Sequence, residues 1–272
     1  MNDLITYDAG IPSMALTEVL DFSLQYLFAM LRVGAFVIAA PVFGAKFVPL
    51  QVRIMMAVGL TIPVMSYAQL PSVEALTSPS AIGMILGEIV LGLSAGLLLT
   101  IFFSAAVVAG DRIATTAGLG FAAQVDPATG STAPVISQLL SLGLMVLFVA
   151  SDGHLVALRI MLDSYIYIPP GTAFDFELLM QAGIAAGGEM FLYGAKLMMP
   201  VVAVLLLVNM GIGVITRSAP QLNIFSFGFP LTLGVTMVLL YLGAPIMGMA
   251  MDKLLDASID ALMQLMTEVA NG

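Results

Sequence analysis

The sequence predicts an all-α, polytopic membrane-type protein built from broken, kinked helical hairpins. Three observations carry that expectation. The composition is 60% hydrophobic and 9% charged, with a mean hydropathy of +1.08, whereas an average soluble chain carries about 25% charged residues. The apolar sequence falls into six principal runs, most of them long enough to approach the roughly 20 residues that a helix needs to cross a bilayer. Glycines and prolines interrupt those runs at places where a plain span would keep its backbone hydrogen bonds closed.

The same composition excludes several functions. With no cysteine there is no disulfide, thiolate nucleophile or Cys-ligated centre, and the lone His154 makes no metal cluster of the usual kind. The net charge is −9, with only eight lysines and arginines, so no nucleic acid is expected as a partner, because binding phosphates needs clustered positive charge. No nucleotide or metal motif is present, and no cofactor is expected. The 20 methionines suit gap-filling between helices and adaptable surfaces. Asp3, Asp8, Glu18 and Asp21 make the N-terminal stretch acidic, unlike the basic start of a signal peptide. A single domain over residues 1–272 is expected.

Residues 14–40 form the first apolar element, with Asp21 and Arg32 eleven residues apart and so on one helical face. That face should turn toward other helices, or place Asp21 at the interface. Pro41 and Gly44 end the run. Lys46 and Arg53 then make the most basic loop of the chain, which the positive-inside rule assigns to the cytoplasmic side. Residues 54–70 are a second run, kinked or ended at Pro63, and residues 71–79 read as an external loop. Residues 82–110 are the longest span. Its two G-x-x-x-G pairs, Gly83/Gly87 and Gly92/Gly96, allow close helix approach, and Glu88 within it should face protein or water.

Residues 110–127 are too polar for a span and too apolar for a solvated loop. Gly118, Leu119, Gly120 and Phe121 form a flexible apolar tip there, between the charged Asp111–Arg112 pair and Asp126. Taken by itself, this is an ordinary re-entrant or connecting loop. Residues 134–150 are another span. Arg159 and Asp163 form an i,i+4 pair beyond it, and Tyr165 and Tyr167 before Pro169–Pro170 look like an interfacial aromatic anchor. Residues 182–208 carry Glu189 and Lys196 on one face, bend at Pro200, and with Glu88 supply the charges for a buried polar seam, read here as one that holds subunits together.

Residues 209–231 interrupt the apolar sequence with Gly211, Gly213, Pro220, Gly228 and Pro230, and Arg217, Gln221 and Asn223 are available to satisfy the freed backbone. Two readings stand on spacing alone: a short cytoplasmic turn anchored by Arg217, or a functional break in a membrane helix. Residues 232–251 are the last apolar run, interrupted at Pro245. Residues 252–270 read as an amphipathic helix with Leu255, Leu262, Leu265 and Val269 on one face, packing on a partner helix. The G-L-S-A-G run from Gly92 to Gly96 matches the G-x-S-x-G expression, with His154 as an apparent base. It lies in helical rather than strand–turn–helix context, so no enzyme is expected.

The run from Arg217 through Pro220, Gln221 and Asn223 to Phe225, followed by Gly228–Phe229–Pro230, resembles the C-terminal signature of the FliR family of the flagellar type III export gate. Arg32, Pro41, Gly44, Pro49 and Arg53 resemble that family's N-terminal pattern, and the matches together cover most of the chain. The resemblance implies a subunit of a protein-conducting gate in the bacterial inner membrane, within the flagellar basal body. Its implied neighbours are FliP and FliQ subunits in one complex, FlhB and FlhA against it, membrane lipid, and unfolded secreted proteins as substrate. It further implies that the assembled gate sits above the bilayer plane, and that the Gly118–Phe121 tip plugs the pore from inside. A secondary solute transporter with a mid-membrane site at broken helices is the alternative; no convincing repeat between the two halves supports it.

Overall fold

The computed structural model describes residues 16–119, 135–173, 175–219 and 228–271. All regular elements among them are helical: α1 (Leu16–Ala39), α2 (Leu50–Tyr67), the one-turn α3 (Val73–Leu76), α4 (Ala81–Thr116), α5 (Val135–Ala150), α6 (Gly153–Tyr167), α7 (Phe176–Ser218) and α8 (Phe229–Asn271). Five helices are long and apolar enough to cross a membrane. A sixth span results if α5 and α6, bent by 66° at their junction, count as one. These are the six apolar runs of the sequence. The fold class is therefore the expected one, an all-α polytopic membrane protein.

The central element is α4, which packs against α1, α5, α7 and α8. Leu91, Ala95, Leu99, Phe102, Ala106, Ala109 and Ile113 are all buried along it. Small residues permit the close approach. A Cβ on Gly92 would collide with the Arg32 carbonyl on α1, and one on Gly96 would lie 2.8 Å from the Ala40 amide nitrogen and 2.9 Å from the Phe36 carbonyl. Of the two G-x-x-x-G pairs, Gly92/Gly96 is thus a contact surface. Gly83 of the other pair has open space where a side chain would go. Lower on α4, Gly110 meets the backbone of Ser137 on α5, and the Ser137 hydroxyl donates to the Val107 carbonyl at 3.2 Å.

Helix α1 stops where expected. Gly44 donates to the Ala40 carbonyl at 2.7 Å, and a side chain at Gly44 would strike the Ile38 and Ala40 carbonyls. The Thr100 hydroxyl of α4 donates to the Ala39 carbonyl at 2.7 Å, so one orphan acceptor at the end of α1 is satisfied. The corner between α5 and α6 turns on Asp152, which takes a left-handed conformation at φ 58°. The Phe148 ring packs over Gly153, where a Cβ would not fit, and meets Phe103 of α4 edge-on at 5.1 Å.

Several sequence expectations are corrected. Helix α2 begins at Leu50, directly after Pro49, and runs through Pro63 to Tyr67. The residue 71–79 loop contains α3, whose first turn is capped by the Ser72 hydroxyl. Helix α4 continues six residues past Gly110, to Thr116. Pro245 does not interrupt its run, and Pro200 lies within one continuous helix: α7 and α8 are each 43 residues long and continue past these prolines. The 252–270 amphipathic segment is the second half of α8, and its partners are this chain's own helices, since α8 packs on α4, α6 and α7. Leu255, Leu262, Leu265 and Val269 are its buried face, as the periodicity predicts. Prolines inside long helices survive because the lost donor is a single bond in a segment held on both sides by packing.

Candidate functional site

The two stretches that stood out in the sequence meet in space. Helix α4 ends at Thr116, and the chain leaves through Ala117 and Gly118, which adopts φ +85°. That end lies between the last third of α7 and the first turn of α8. Asn209 of α7 donates from Nδ2 to the Thr116 carbonyl at 3.0 Å, and Thr232 of α8 donates from its hydroxyl to the Ala117 carbonyl at 3.0 Å. The C-terminal carbonyls of a helix have no partner within it. Here, two of them are taken by side chains from the two helices that flank the chain break. A side chain at Gly118 would sit 3.3 Å from the Phe229 ring, so glycine serves both the positive φ and the close contact.

A cavity of ≈ 390 Å³ opens at this junction, lined by Thr116, Gly118, Asn209, Ile212, Phe229 and Thr232 among others. Its wall is mostly apolar, and its polar side chains are the capping Asn209 and Thr232 with Thr115 and Thr116 at the end of α4. The arrangement anchors the root of a loop, and among the described residues its lining carries no acid–base pair. Among the described residues no group of His, Asp and Glu is placed to hold a metal. Ser94 lies mid-way along α4, in helix rather than on a strand–turn–helix elbow, and that removes the local geometry the G-x-S-x-G match would need.

The break itself is narrower than its glycines suggest. Helix α7 runs through Gly211 and Gly213 to Ser218, and α8 starts at Phe229 with Pro230 in its first turn, where proline costs no hydrogen bond. Only residues 219–228 separate the two helices. Arg217 is exposed in the last turn of α7, where its charge complements the helix C-terminus. Pro220, Gln221, Asn223 and Phe225 lie outside the described residues, as do Gly120 and Phe121 of the loop tip. Gly118 and Leu119 are described, and Leu119 packs against the core.

The charges predicted to share one seam separate within this chain. Glu88 is buried on α4, whereas Glu189 and Lys196 are exposed on α7, with the Lys196 ammonium 4.6 Å from the centre of the Tyr193 ring. Glu88 pairs instead with Arg32 of α1, Nε to Oε2 at 2.7 Å and Nη2 to Oε1 at 3.0 Å. The pair is closed off from solvent, with both side chains at most 4% exposed. Arg32 Nη1 donates to the Ser164 hydroxyl at 3.1 Å and the Ile168 carbonyl at 3.0 Å, and the Gly171 amide donates to Glu88 Oε1 at 2.9 Å. The guanidinium lies 4.4 Å over the Tyr165 ring. Tyr165 in turn donates to the Ala29 carbonyl at 2.6 Å.

Tyr165 is therefore a buried strut and not an interfacial anchor; Tyr167, two residues on, is exposed. Of the two positions open to Asp21, toward other helices or at the interface, the structure leaves it exposed near the start of α1, while Arg32 is buried. Arg159 and Asp163 do approach, 3.6 Å apart on the surface of α6.

Asn209 and Thr232 escaped the sequence reading, which assigned the freed backbone groups to Gln221 and Asn223. The only sequence signal was an amide and a hydroxyl alone in apolar helix, and nothing in their spacing points to α4. Replacing Asn209 with leucine should free the Thr116 carbonyl at a cost of about 1 kcal/mol. Hydrogen exchange of the Ala117 and Gly118 amides should then quicken about fivefold. Unchanged exchange at those amides would mean that the Asn209 contact does not hold the loop root.

A family model described as bacterial export proteins, family 1, matches residues 23–258. The chain is 30% identical over 248 residues to the flagellar biosynthetic protein FliR of Escherichia coli, a match covering 90% of this chain and 93% of that one. It is 29% identical over 254 residues to the FliR of Pectobacterium carotovorum, covering 93% and 97%. Against the FliR of Bacillus subtilis, identity is 26% over 260 residues, covering 93% and 99%.

Proposed function

The chain belongs to the bacterial export proteins, family 1, and is a flagellar export apparatus subunit; on that premise we propose that it forms wall and stopper of the export gate's pore. The pore passes unfolded protein substrates across the bacterial inner membrane, at the flagellar basal body. The observation that carries this reading is the anchorage of the loop root. The Gly118–Phe121 tip starts from a helix end tied by Asn209 to one side of the chain break and by Thr232 to the other. A stopper must be fixed at its base and free to yield at its tip, and this geometry supplies the fixed base. Arg217, Pro220, Gln221, Asn223 and Phe225 would set the break against which the loop rests.

The expected neighbours are FliP and FliQ subunits, with FlhB and FlhA against the complex. Helix length supports cover by protein. At ~1.5 Å per residue, α7 and α8 would each extend ~64 Å, about twice the ~30 Å of a bilayer's hydrocarbon core. Large apolar side chains stay exposed along both, among them Leu207, Met210 and Val214 on α7 and Met237, Tyr241 and Leu242 on α8. Lipid cannot cover so long a face, but packed helices of other subunits can. Exposed Glu189 and Lys196 on α7 would then contribute a polar seam between subunits.

Deleting residues 118–122 tests the stopper while leaving the Thr116 and Ala117 carbonyl contacts in place. The assembled complex, reconstituted in liposomes, should release an entrapped small dye much faster than the unaltered complex. A deletion that assembles normally and stays as tight as the parent would remove the stopper role.

A further inference from the structure

We infer that, in the free subunit before it joins the gate, the α1–α2 loop with Lys46 and the first turn of α2 with Arg53 form a binding site for the headgroups of anionic phospholipids, with α2 as the lipid-clad helix beneath it. Four observations converge on this.

The first is charge. Between Asp21 and Glu74 the chain carries no carboxylate, while Arg32, Lys46 and Arg53 all lie in that interval. Arg32 is consumed by Glu88 in the interior. Lys46 and Arg53 remain, seven residues apart, as a local positive field on a chain of net charge −9. Lys46 is exposed, and Arg53 is pinned to the loop by donation from Nη2 to the Ala45 carbonyl at 2.8 Å.

The second is the two-sided apolarity of α2. Ala57, Thr61 and Val64 are its buried residues, and α2 packs chiefly against α1. Leu50, Ile54, Val58 and Ile62 recur every fourth residue and are all exposed, with Met55 beside them at 72% exposure. A helix apolar on the outside as well as the inside belongs in a core or in a bilayer.

The third is length. Eighteen residues at ~1.5 Å each give ~27 Å, close to the hydrocarbon thickness. This separates α2 from α7 and α8, which are far too long to be clad by lipid along their whole apolar faces.

The fourth is the polarity of its ends. Lys46, Phe47 at 68% exposure, and Arg53 cluster at the N-terminal end, and Tyr67 is exposed at the C-terminal end. Cations at one boundary and an exposed aromatic ring at the other are the usual marks of two headgroup levels, although the Tyr67 hydroxyl itself donates to the Leu162 carbonyl of α6 at 3.1 Å. Basic residues at a membrane boundary each contribute attraction to anionic lipid. A protein partner on the same ridge would need no such match of length and ends to the bilayer.

Native mass spectrometry of the full chain in neutral detergent, with phosphatidylglycerol or phosphatidylcholine added, tests the assignment. Phosphatidylglycerol should be retained over phosphatidylcholine. Lys46→Gln and Arg53→Gln should each lower its apparent affinity about fivefold, and the double variant by the product of the two. Lys253→Gln, on the distant half of α8, should leave retention unchanged. Because Arg53 also holds the loop backbone, Lys46→Gln alone keeps the test decisive should the Arg53 variant misfold. Equal retention of the two lipids, or undiminished phosphatidylglycerol binding in Lys46→Gln, overturns the inference. So does a result in which lipid binding is unselective and the variants instead lose a co-purifying membrane protein, which would give the loop to an acidic protein surface.

Discussion

Replacing Glu88 with leucine is expected to destabilise the fold by about 3–5 kcal/mol, the usual cost of leaving one member of a buried ion pair without its counter-charge. Arg32 is only 1% exposed and has no second carboxylate among its partners. In the variant its guanidinium would keep the Ser164 hydroxyl, the Ile168 carbonyl and the Tyr165 ring, none of which carries negative charge. The Gly171 amide would lose its acceptor as well. Thermal unfolding in mild detergent should show the loss directly, alongside a smaller yield of monodisperse protein.

The companion experiment is the double variant, Arg32→Met with Glu88→Leu. Removing both charges also removes the desolvation cost that the pair carries, so the double variant should unfold later than Glu88→Leu alone. It should still fall short of the parent, because the Ile168 carbonyl and the Gly171 amide are left without the partners they had. A double variant no better than the single one would mean that the two charges act independently, and the nexus described above would then be wrong.

Gly96→Leu is expected to have an effect of similar size by a different route. The first atom of any side chain there would sit 2.6 Å from the Ala39 Cβ, 2.8 Å from the Ala40 nitrogen and 2.9 Å from the Phe36 oxygen. Two of those atoms are backbone and cannot swing aside, so α1 and α4 must separate. Overpacking of a tight core costs about 1–3 kcal/mol and occasionally more, and separation would also strain the Arg32–Glu88 pair about two helical turns away along α4. Gly83→Leu is the matched control: it lies on the same helix, in the other G-x-x-x-G pair, with nothing in the space a side chain would enter. It should unfold at the parent's temperature. Equal loss in both variants would point to a general intolerance of bulk on α4 rather than to a contact at Gly96.

The elements were legible in the sequence to different degrees. Five of the six apolar runs reappear as helices long enough to span, because hydrophobic length sets them, and the sixth reaches that length only together with α6. The apolar face of residues 252–270 was readable from its helical period, and Leu255, Leu262, Leu265 and Val269 are indeed its buried side. The ends of helices were read less well. By local rules Pro63 reads as a kink or end, Pro200 as a bend and Pro245 as an interruption, yet each lies inside a continuous helix. Local propensity charges about 3 kcal/mol or more for an interior proline, and packing along 18 or 43 residues outweighs it. Tyr165 and Tyr167 illustrate the same limit on a smaller scale: identical residues two apart, one buried under α1 and one exposed.

By itself the sequence determined what kind of molecule this is and to which family it belongs. An apolar composition, six long runs and a signature around Arg217 are local quantities, written in consecutive residues. It also determined that Arg32 and Glu88 had to face something other than lipid, since a charge in hydrocarbon is costly wherever it sits. Only the tertiary structure decided that they face each other across 56 positions of chain, and that Asn209 and Thr232 hold the root of a loop about a hundred residues before them. Partnership between distant side chains depends on the rotation and depth of each helix against its neighbours. That in turn is fixed by close contacts such as Gly92 on Arg32, which no periodicity along one segment encodes.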